Sequence, residues 1–519
     1  MFDIVIRGGR IMDGSGGPSY YGDVGIRDDR IAAIGKLDQM EAHRTIKADE
    51  HVVCPGFIDM HTHSDIMLLA NPKHEPKIMQ GVTTELIGLD GLSYAPLSPA
   101  NLKIVRHYLS GLNGNPDISW DWSSVGEFLA RFDRQVAVNV AYLVPHIALR
   151  METTGFTDRA ATAAELAKMQ ELVAQGMREG AVGFSTGLDY FPVGYSNTEE
   201  IISICETVAE YNGISVWHAR IRELGLIESI KEAIRVAEKT NVKVHFSHYA
   251  TNGTENRGKS TELLALVDGA RQKGLDVTFD SYPYIASSSL LIMLLPNWVH
   301  EGGPDALLER LRQAKTREKV CADMHASPLP WEQFILTSVS TVNNEVYVGK
   351  NLIEAANMAG REVAEFICNL VLEESLGISY LSLSGNEEDV RAIMKHPCHM
   401  VCTDGLLIGG KPNPRGWGTF ARYLGLYSRE LGILSLEEVI RHMTAAPARR
   451  IGLTDRGLIK EGLAADLVVF NPQTVIDNAT FEEPKKYPTG IDYVLVNGAI
   501  TVDSGKHTGK LNGRALIRV

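Results

Sequence analysis

One run constrains this chain more than any other: Pro55-Gly56-Phe57-Ile58-Asp59-Met60-His61-Thr62-His63-Ser64-Asp65. Its apolar part reads as a short buried strand, and the strand ends in two histidines one residue apart. Side chains at i and i+2 of a strand leave the same face. His61 and His63 therefore point together from the strand's C-terminal end, where a parallel barrel keeps its chemistry. Two imidazoles so placed can share one divalent metal. An isolated His-x-His is cheap, so its meaning depends on further ligands at other strand ends.

The chain between residues 55 and 455 alternates strand and helix. Strand candidates are 57–63, 83–88, 136–145, 180–185, 214–218, 242–248, 276–281 and 400–404, with helical stretches at 160–176, 198–211, 226–239, 263–273 and 387–395. Eight buried strands alternating with helices predict an α/β fold, a parallel (β/α)8 TIM barrel. The spacing between the seventh and eighth strands is too long for one crossover. Residues of about 286–350, with Pro296, Trp298, Pro328 and Trp331, read as an inserted lid or pocket wall. Residues 1–54 and 456–519 share short strands and tight turns, so a small β-sandwich domain built from both termini is expected.

At 519 residues the chain has room for a large domain plus a smaller one. A formal charge of −13, spread without an acidic tail, argues against nucleic acid and anionic membrane as partners. The six cysteines form no Cys-x-x-Cys pair, no secretory signal is visible, and no apolar run approaches membrane-spanning length. A cytoplasmic setting and a small-molecule substrate follow as expectations. Oligomeric state stays open.

The polar residues at the strand ends converge. Strand two runs into Asp90, strand five ends at His218, strand six at His248, and strand eight at Asp404. Each alone is commonly a core histidine or a turn former. Together with His61 and His63 they put four imidazoles and two carboxylates at one barrel mouth, enough for one or two divalent ions and a carboxylate that moves protons. His245, three before His248, is expected on the opposite strand face against a helix. His396 and His399 are expected in the surface or loop before strand eight, and Cys402 as a buried small hydrophobe. His146, ending strand three, is ambiguous.

These residues resemble the amidohydrolase superfamily, and within it the N-acyl-D-amino-acid deacylase (D-aminoacylase) branch. The resemblance runs nearly end to end. It includes Pro55–Asp65, Gly81-Val82-Thr83-Thr84-Glu85, Gly180 to Leu188, Ser247-His248 and Asp280-Ser281-Tyr282-Pro283-Tyr284. It continues through Thr403-Asp404-Gly405, Pro414-Arg415-Gly416-Trp417-Gly418-Thr419-Phe420 and Gly462 to Leu467. His-x-His indicates only the superfamily; the Asp-x-Tyr-Pro-Tyr and Pro-Arg-x-Trp-Gly-Thr-Phe motifs are specific to the branch.

The resemblance implies zinc at the barrel mouth, one ion or two, with another divalent metal possible. His218 and His248 would belong to the tighter site, His61, His63 and Asp404 to the second, and Asp404 would be general base and acid. Three departures matter. Asp90 stands where the branch commonly has a cysteine ligand, and a carboxylate is a competent but harder ligand. Strand four has no lysine to bridge two metals, which leaves Asp90 for that task. Ala250 stands where the branch has a lysine for the substrate's α-carboxylate.

The remaining anchors implied are Arg415, Tyr282 and a hydroxyl among Ser287, Ser288 and Ser289. Arg220 and Tyr190 are further candidate contacts, with second-shell and rim-packing roles as their alternatives. The expected activity is hydrolysis of a carbon–nitrogen amide bond, deacylating N-acyl-D-amino acids. A cyclic or uncharged amide is the alternative that Ala250 favours, and a non-catalytic barrel scaffold is the remote one.

Overall fold

The computed structural model describes residues 1–327 and 329–517; Pro328, in the inserted stretch, lies outside the described residues. Eight parallel strands make the barrel: β1 (Phe57–Asp59), β2 (Val82–Ile87), β3 (Asn139–Pro145), β4 (Gly183–Gly187), β5 (Ile214–His218), β6 (Lys243–Phe246), β7 (Val277–Ser281) and β8 (His399–Val401). They pair in chain order. Such strands are buried on both faces. Ile58, Met60, Leu86, Leu143, Val216 and Cys402 fill the interior, whereas Phe57, Ile87, Tyr142, Trp217, Val244 and Phe279 belong to a separate core. The expected helices form at Ala163–Arg178, Thr198–Glu210, Leu226–Thr240, Ser260–Gln272 and Glu387–Met394. Asn197 caps the second, its side chain accepting from the Glu200 amide.

The seam between β8 and β1 closes through a hydrogen-bonded run. The Met60 amide donates to the Val401 carbonyl (3.3 Å), the Asp404 amide to His61 (2.8 Å), and the His63 amide to Gly405 (3.1 Å). Side chains lock the same seam. Asp59 accepts from the Thr403 amide (2.9 Å) and hydroxyl (2.6 Å). Lys77, from the short helix Glu75–Ile78, donates to Asp59 (2.9 Å), Glu85 (3.0 Å), Thr62 (2.6 Å) and Thr403 (2.9 Å). All five side chains are fully buried.

Strands from both chain ends build a second unit, in which nine strands of the described residues form one mixed sheet. The sheet curls round its own core of Ile4, Val24, Ile26, Val53, Leu467 and Leu495. Its strand Val52–Pro55 leads directly into β1. The link is Gly56, where a Cβ would sit 2.2 Å from the Thr83 hydroxyl, so only glycine fits.

Between β7 and β8 lies a three-stranded antiparallel sheet of Ser287–Leu290, Ser379–Ser382 and Phe334–Ser338, with its own helices. This segment runs beyond residue 350 and presents Ser287, Ser288, Ser289 and Tyr380 to the barrel mouth. Among the described residues, no helix is long and apolar enough to cross a membrane.

Removing the Lys77 charge would leave Asp59 buried without its cation and Glu85 with His74 alone. Lys77→Met should therefore cost on the order of 3–5 kcal/mol in denaturant unfolding. A loss below about 1 kcal/mol would contradict the assignment of Lys77 as the clasp of the seam.

Candidate active site

Each ligand candidate sits where a barrel strand ends and the backbone turns. Asp90 (φ 53°), His248 (φ 33°) and Asp404 (φ 45°) all adopt left-handed conformations, which non-glycine residues rarely do. Such strain persists only where the surroundings over-determine it. At His248 the cause is visible: β6 ends at Phe246, and the His248 amide is held by the Asp280 carboxylate at 2.7 Å.

The resulting geometry is two adjoining triangles. His61 Nε2, His63 Nε2 and Asp404 Oδ1 are separated by 3.3, 3.4 and 3.6 Å. His218 Nδ1, His248 Nε2 and Asp90 Oδ2 are separated by 2.9, 3.4 and 3.6 Å. Asp90 Oδ2 also lies 3.5 Å from His61 and 3.4 Å from His63. One carboxylate oxygen thus faces all four imidazoles, the position of a bridge.

Zinc bonds to nitrogen and oxygen of about 2.0–2.1 Å in a tetrahedron set ligand atoms about 3.3–3.4 Å apart. Edges of 3.3–3.6 Å lie near that spacing, the His218–His248 edge of 2.9 Å is shorter, and a set of imidazole and carboxylate donors suits zinc. His61, His63 and Asp404 form one compact group that could hold an ion, and His61, Asp90 and His248 another.

The electrostatics agree. Burial opposes the charge of His63, but the Asp404 and Asp90 carboxylates outweigh it and hold the imidazole up at about 9. Burial likewise opposes the charge of His218, yet Asp90 and Asp189 hold it up at about 10. Burial raises Asp90, but His61, His248 and His218 hold it well below the carboxylate range. Asp404 is also held down against burial, first by Arg415, whose guanidinium lies 2.8 Å from Oδ2. Ionised carboxylates here call for positive charge between them, and a bound metal supplies it in place of protons.

A cavity of about 260 Å³ opens beside this cluster. Tyr190, Tyr282, Ser287, Ser288 and Ser289 line it, together with Asp90, His218, His248 and Asp404. Arg415 does not: it is fully buried behind Asp404, with its guanidinium 4.3 Å from the Tyr282 ring centroid. Arg220 turns away from the mouth. It binds the Gly194 (2.9 Å) and Ser196 (2.7 Å) carbonyls and pairs with Glu232 at 3.4 Å, tying the loop after β4 to the helix Leu226–Thr240.

Two histidine expectations are corrected. His245 does not pack against a helix. It pairs in register with Val216, which faces the barrel interior, and binds Asp280 (2.8 Å) and Thr278 (2.7 Å). The parity count failed because His248 lies beyond the end of β6. His399 is no surface residue: it is buried in β8 and bonded to Ser281 (3.0 Å) and Tyr423 (3.1 Å). His146 is also buried away from the cluster, on Glu200 (2.9 Å) and Thr186 (3.0 Å). His396 pairs with Asp268 at 3.1 Å, and Cys402 is a buried interior residue.

Sequence reasoning missed Lys77, Asp59, Asp280 and Asp189. The last lies 3.5 Å from His218 Nε2 and lines the cavity. Its signal was present, since Asp189, like Asp90, is an acidic residue two or three positions beyond the end of a barrel strand.

A family model described as the amidohydrolase family matches residues 44–502. The chain is 36% identical over 518 residues to a D-aminoacylase of Alcaligenes xylosoxydans xylosoxydans, covering 100% of this chain and 98% of that relative. It is also 36% identical over 497 residues to an N-acyl-D-glutamate deacylase of the same organism, covering 96% of this chain and 93% of the relative. A solved structure of N-acyl-D-glutamate deacylase from Bordetella bronchiseptica, complexed with zinc and a phosphonate mimic of the tetrahedral intermediate, has a TM-score of 0.86. That pair is 33% identical, with 100% of both chains covered.

Two outcomes test the site's construction. Asp90→Ala, which removes the shared oxygen, should leave protein dialysed against zinc and then buffer with less than half the metal of the parent by elemental analysis; full retention would exclude Asp90 as a ligand. The second concerns the loop after β6. Asp389 accepts from Thr251 (2.6 Å) and the Gly258 amide (2.7 Å), and although burial raises its pKa, hydrogen bonds from Ser260, Thr251 and Asn386 lower it from 3.8 to about 2. A depressed carboxylate stabilises above its unfolded pKa and loses that contribution as pH falls through its folded one. The stability gap between parent and Asp389→Asn, roughly 1.5–3 kcal/mol for bonds to a charged group, should persist at pH 6 and shrink between pH ~4 and ~2. A gap independent of pH would contradict it.

Proposed function

The chain belongs to the amidohydrolase family, and we propose that it is a zinc-dependent deacylase that cleaves N-acyl-D-amino acids to a D-amino acid and a carboxylate. The observation that carries this reading is the pair of ligand triangles meeting at Asp90, in a chain similar over its full length to deacylases of that class. His61, His63, Asp90, His218, His248 and Asp404 would hold one or two zinc ions. Bound there, zinc supplies Lewis acidity toward the carbonyl and lowers the pKa of water.

The protein's own groups do the rest. Asp404 is ionised, with Oδ1 turned to the histidines and Oδ2 held by Arg415. It is set to accept the proton of the attacking water and to pass it to the leaving nitrogen as the C–N bond breaks. Tyr282 and a hydroxyl among Ser287, Ser288 and Ser289 face the cavity, with the Arg415 charge behind them. Arg415 Nε is buried without a hydrogen-bond partner. This arrangement supports docking of the substrate's α-carboxylate against Tyr282 and the serine hydroxyls, with the Arg415 charge behind the cavity wall. The six cysteines are all free, which supports a reducing, cytoplasmic setting.

A second reading, hydrolysis of a cyclic or uncharged amide, is favoured by one observation: among the described residues, no lysine or arginine lines the cavity. Release of amine from paired N-acetyl-D- and N-acetyl-L-amino acids separates the two. Turnover confined to D-substrates supports the deacylase; silence on all of them, with zinc bound, supports the second reading. Asp404→Asn should lower kcat by at least ~10²-fold to ~10⁴-fold, with at least one zinc per chain retained. A variant that kept most of its kcat would overturn the role given to Asp404.

A further inference from the structure

The side chains lining the cavity divide between two arcs of the barrel mouth. Tyr282 and Asp404 follow β7 and β8, and Ser287, Ser288 and Ser289 stand in the sheet inserted between those strands. These groups serve the reaction. The other arc belongs to β5 and β6, and the hydrolytic step makes no use of it. Trp217 and Phe246 come from those strands, Tyr249 from the turn after β6, and Ile221, Leu226 and Ile230 from the helices that follow β5.

This second arc is an apolar wall. Trp217 and Phe246 are neighbours, paired in register across the two strands. Leu226 and Ile230, four apart on the helix Leu226–Thr240, share one of its faces. Trp217 Nε1 donates to the Ser215 hydroxyl (2.8 Å), and the Tyr249 hydroxyl donates to the Leu263 carbonyl (2.8 Å). Both polar atoms are thus engaged within the protein, and the two residues offer the cavity their ring surfaces. Such a wall gains from contact with an alkyl or aryl group, in proportion to the area taken from water.

The chemistry of cleavage decides which half of the substrate reaches it. Asp404 must pass its proton to the leaving nitrogen, and the α-carboxylate docks against Tyr282 and the serines. The amine half therefore lies along the β7–β8 arc. A secondary amide is planar and strongly prefers the trans form, which sends the acyl substituent away from the carbon on nitrogen. From a carbonyl held at the histidine cluster, that direction leads to the β5–β6 arc.

Resting on the deacylase reading, we infer that the acyl half of the substrate is an apolar chain or ring larger than acetyl, seated on the wall of Trp217, Ile221, Leu226, Ile230, Phe246 and Tyr249. An acetyl group ends in a single methyl and would leave most of that wall uncovered. Leu226 and Ile230 are then specificity-determining residues, acting on which acyl group binds rather than on how the bond is cleaved.

The test is kcat/KM of the zinc-loaded protein on the N-acetyl, N-butyryl and N-hexanoyl derivatives of D-alanine and of D-leucine. Asp189 lines the same cavity, so N-pentanoyl and N-(4-aminobutyryl) derivatives are added, which set a methyl against an ammonium at equal length. The inference expects a gain of about 3-fold per methylene from acetyl to butyryl and of about 10-fold or more to hexanoyl. The gain should appear in both amine series, chiefly through KM. Pentanoyl should exceed 4-aminobutyryl by about 10-fold or more. Ile230→Phe, which narrows the wall, should lower the hexanoyl-to-acetyl ratio by about 5-fold or more. A merely structural loss would lower both substrates alike.

A flat or falling acyl series would overturn the inference, and a gain from alanine to leucine in its place would give the wall to the amine side chain. Preference for 4-aminobutyryl, or an unchanged ratio in Ile230→Phe, would overturn it as well. All of these outcomes leave the deacylase reading standing. Silence on every substrate, with zinc bound, brings down that reading and the inference with it.

Discussion

The structure depends on how the last barrel strand meets the first. Strands one and eight are only three residues long, too short to hold a seam by ladder hydrogen bonds alone. Asp59 and Lys77 make up the deficit, gripping Thr403 and Thr62 from both sides of the joint. The same seam carries His61, His63 and Asp404, and the Asp404 amide donates to the His61 carbonyl across it. The spacing of one ligand triangle is therefore a property of barrel closure. A buried lysine bound by two carboxylates and two hydroxyls is expensive to desolvate and unforgiving of any lost partner, which suits a joint that must hold one geometry.

The second triangle is set differently. Asp90 and His248 leave their strands in left-handed conformations, turning side chains that a regular strand would not deliver toward a common point. Asp280 serves this site from beneath. It holds the His248 amide and also binds His245, so an interior histidine braces the backbone of a ligand histidine. Asp90 joins the halves, since its Oδ2 lies within 3.4–3.6 Å of a nitrogen on each of four imidazoles. In the proposed metal site a carboxylate would take the place for which no lysine on strand four is present.

The barrel and its mouth were legible because their signals are periodic. Alternation marked the strands, and His61, His63, His218, His248, Asp90 and Asp404 each stand at or just beyond a strand end, where a parallel barrel exposes functional groups. What escaped has physical reasons. A lone lysine is ordinarily solvated, so nothing about Lys77 announced full burial. His245 was misread because side-chain parity holds only while a strand continues, and β6 stops at Phe246. His399 looked like a loop residue beside Pro397, yet its ring closes a buried network with Tyr423 and His442. The pairing of Arg415 with Asp404, 2.8 Å away and behind the residues that line the cavity, joins groups close in both sequence and space but carries no periodic signal.

The central claim is that this cluster holds zinc through nitrogen and oxygen alone, with Asp90 where a thiolate ligand is common in the branch. Zinc-edge X-ray absorption on the metal-loaded protein tests it directly. The account predicts a first coordination sphere of nitrogen and oxygen at about 2.0–2.1 Å, with imidazole scattering and no sulfur. A sulfur contribution at about 2.3 Å, from Cys402 or any other cysteine, would contradict it.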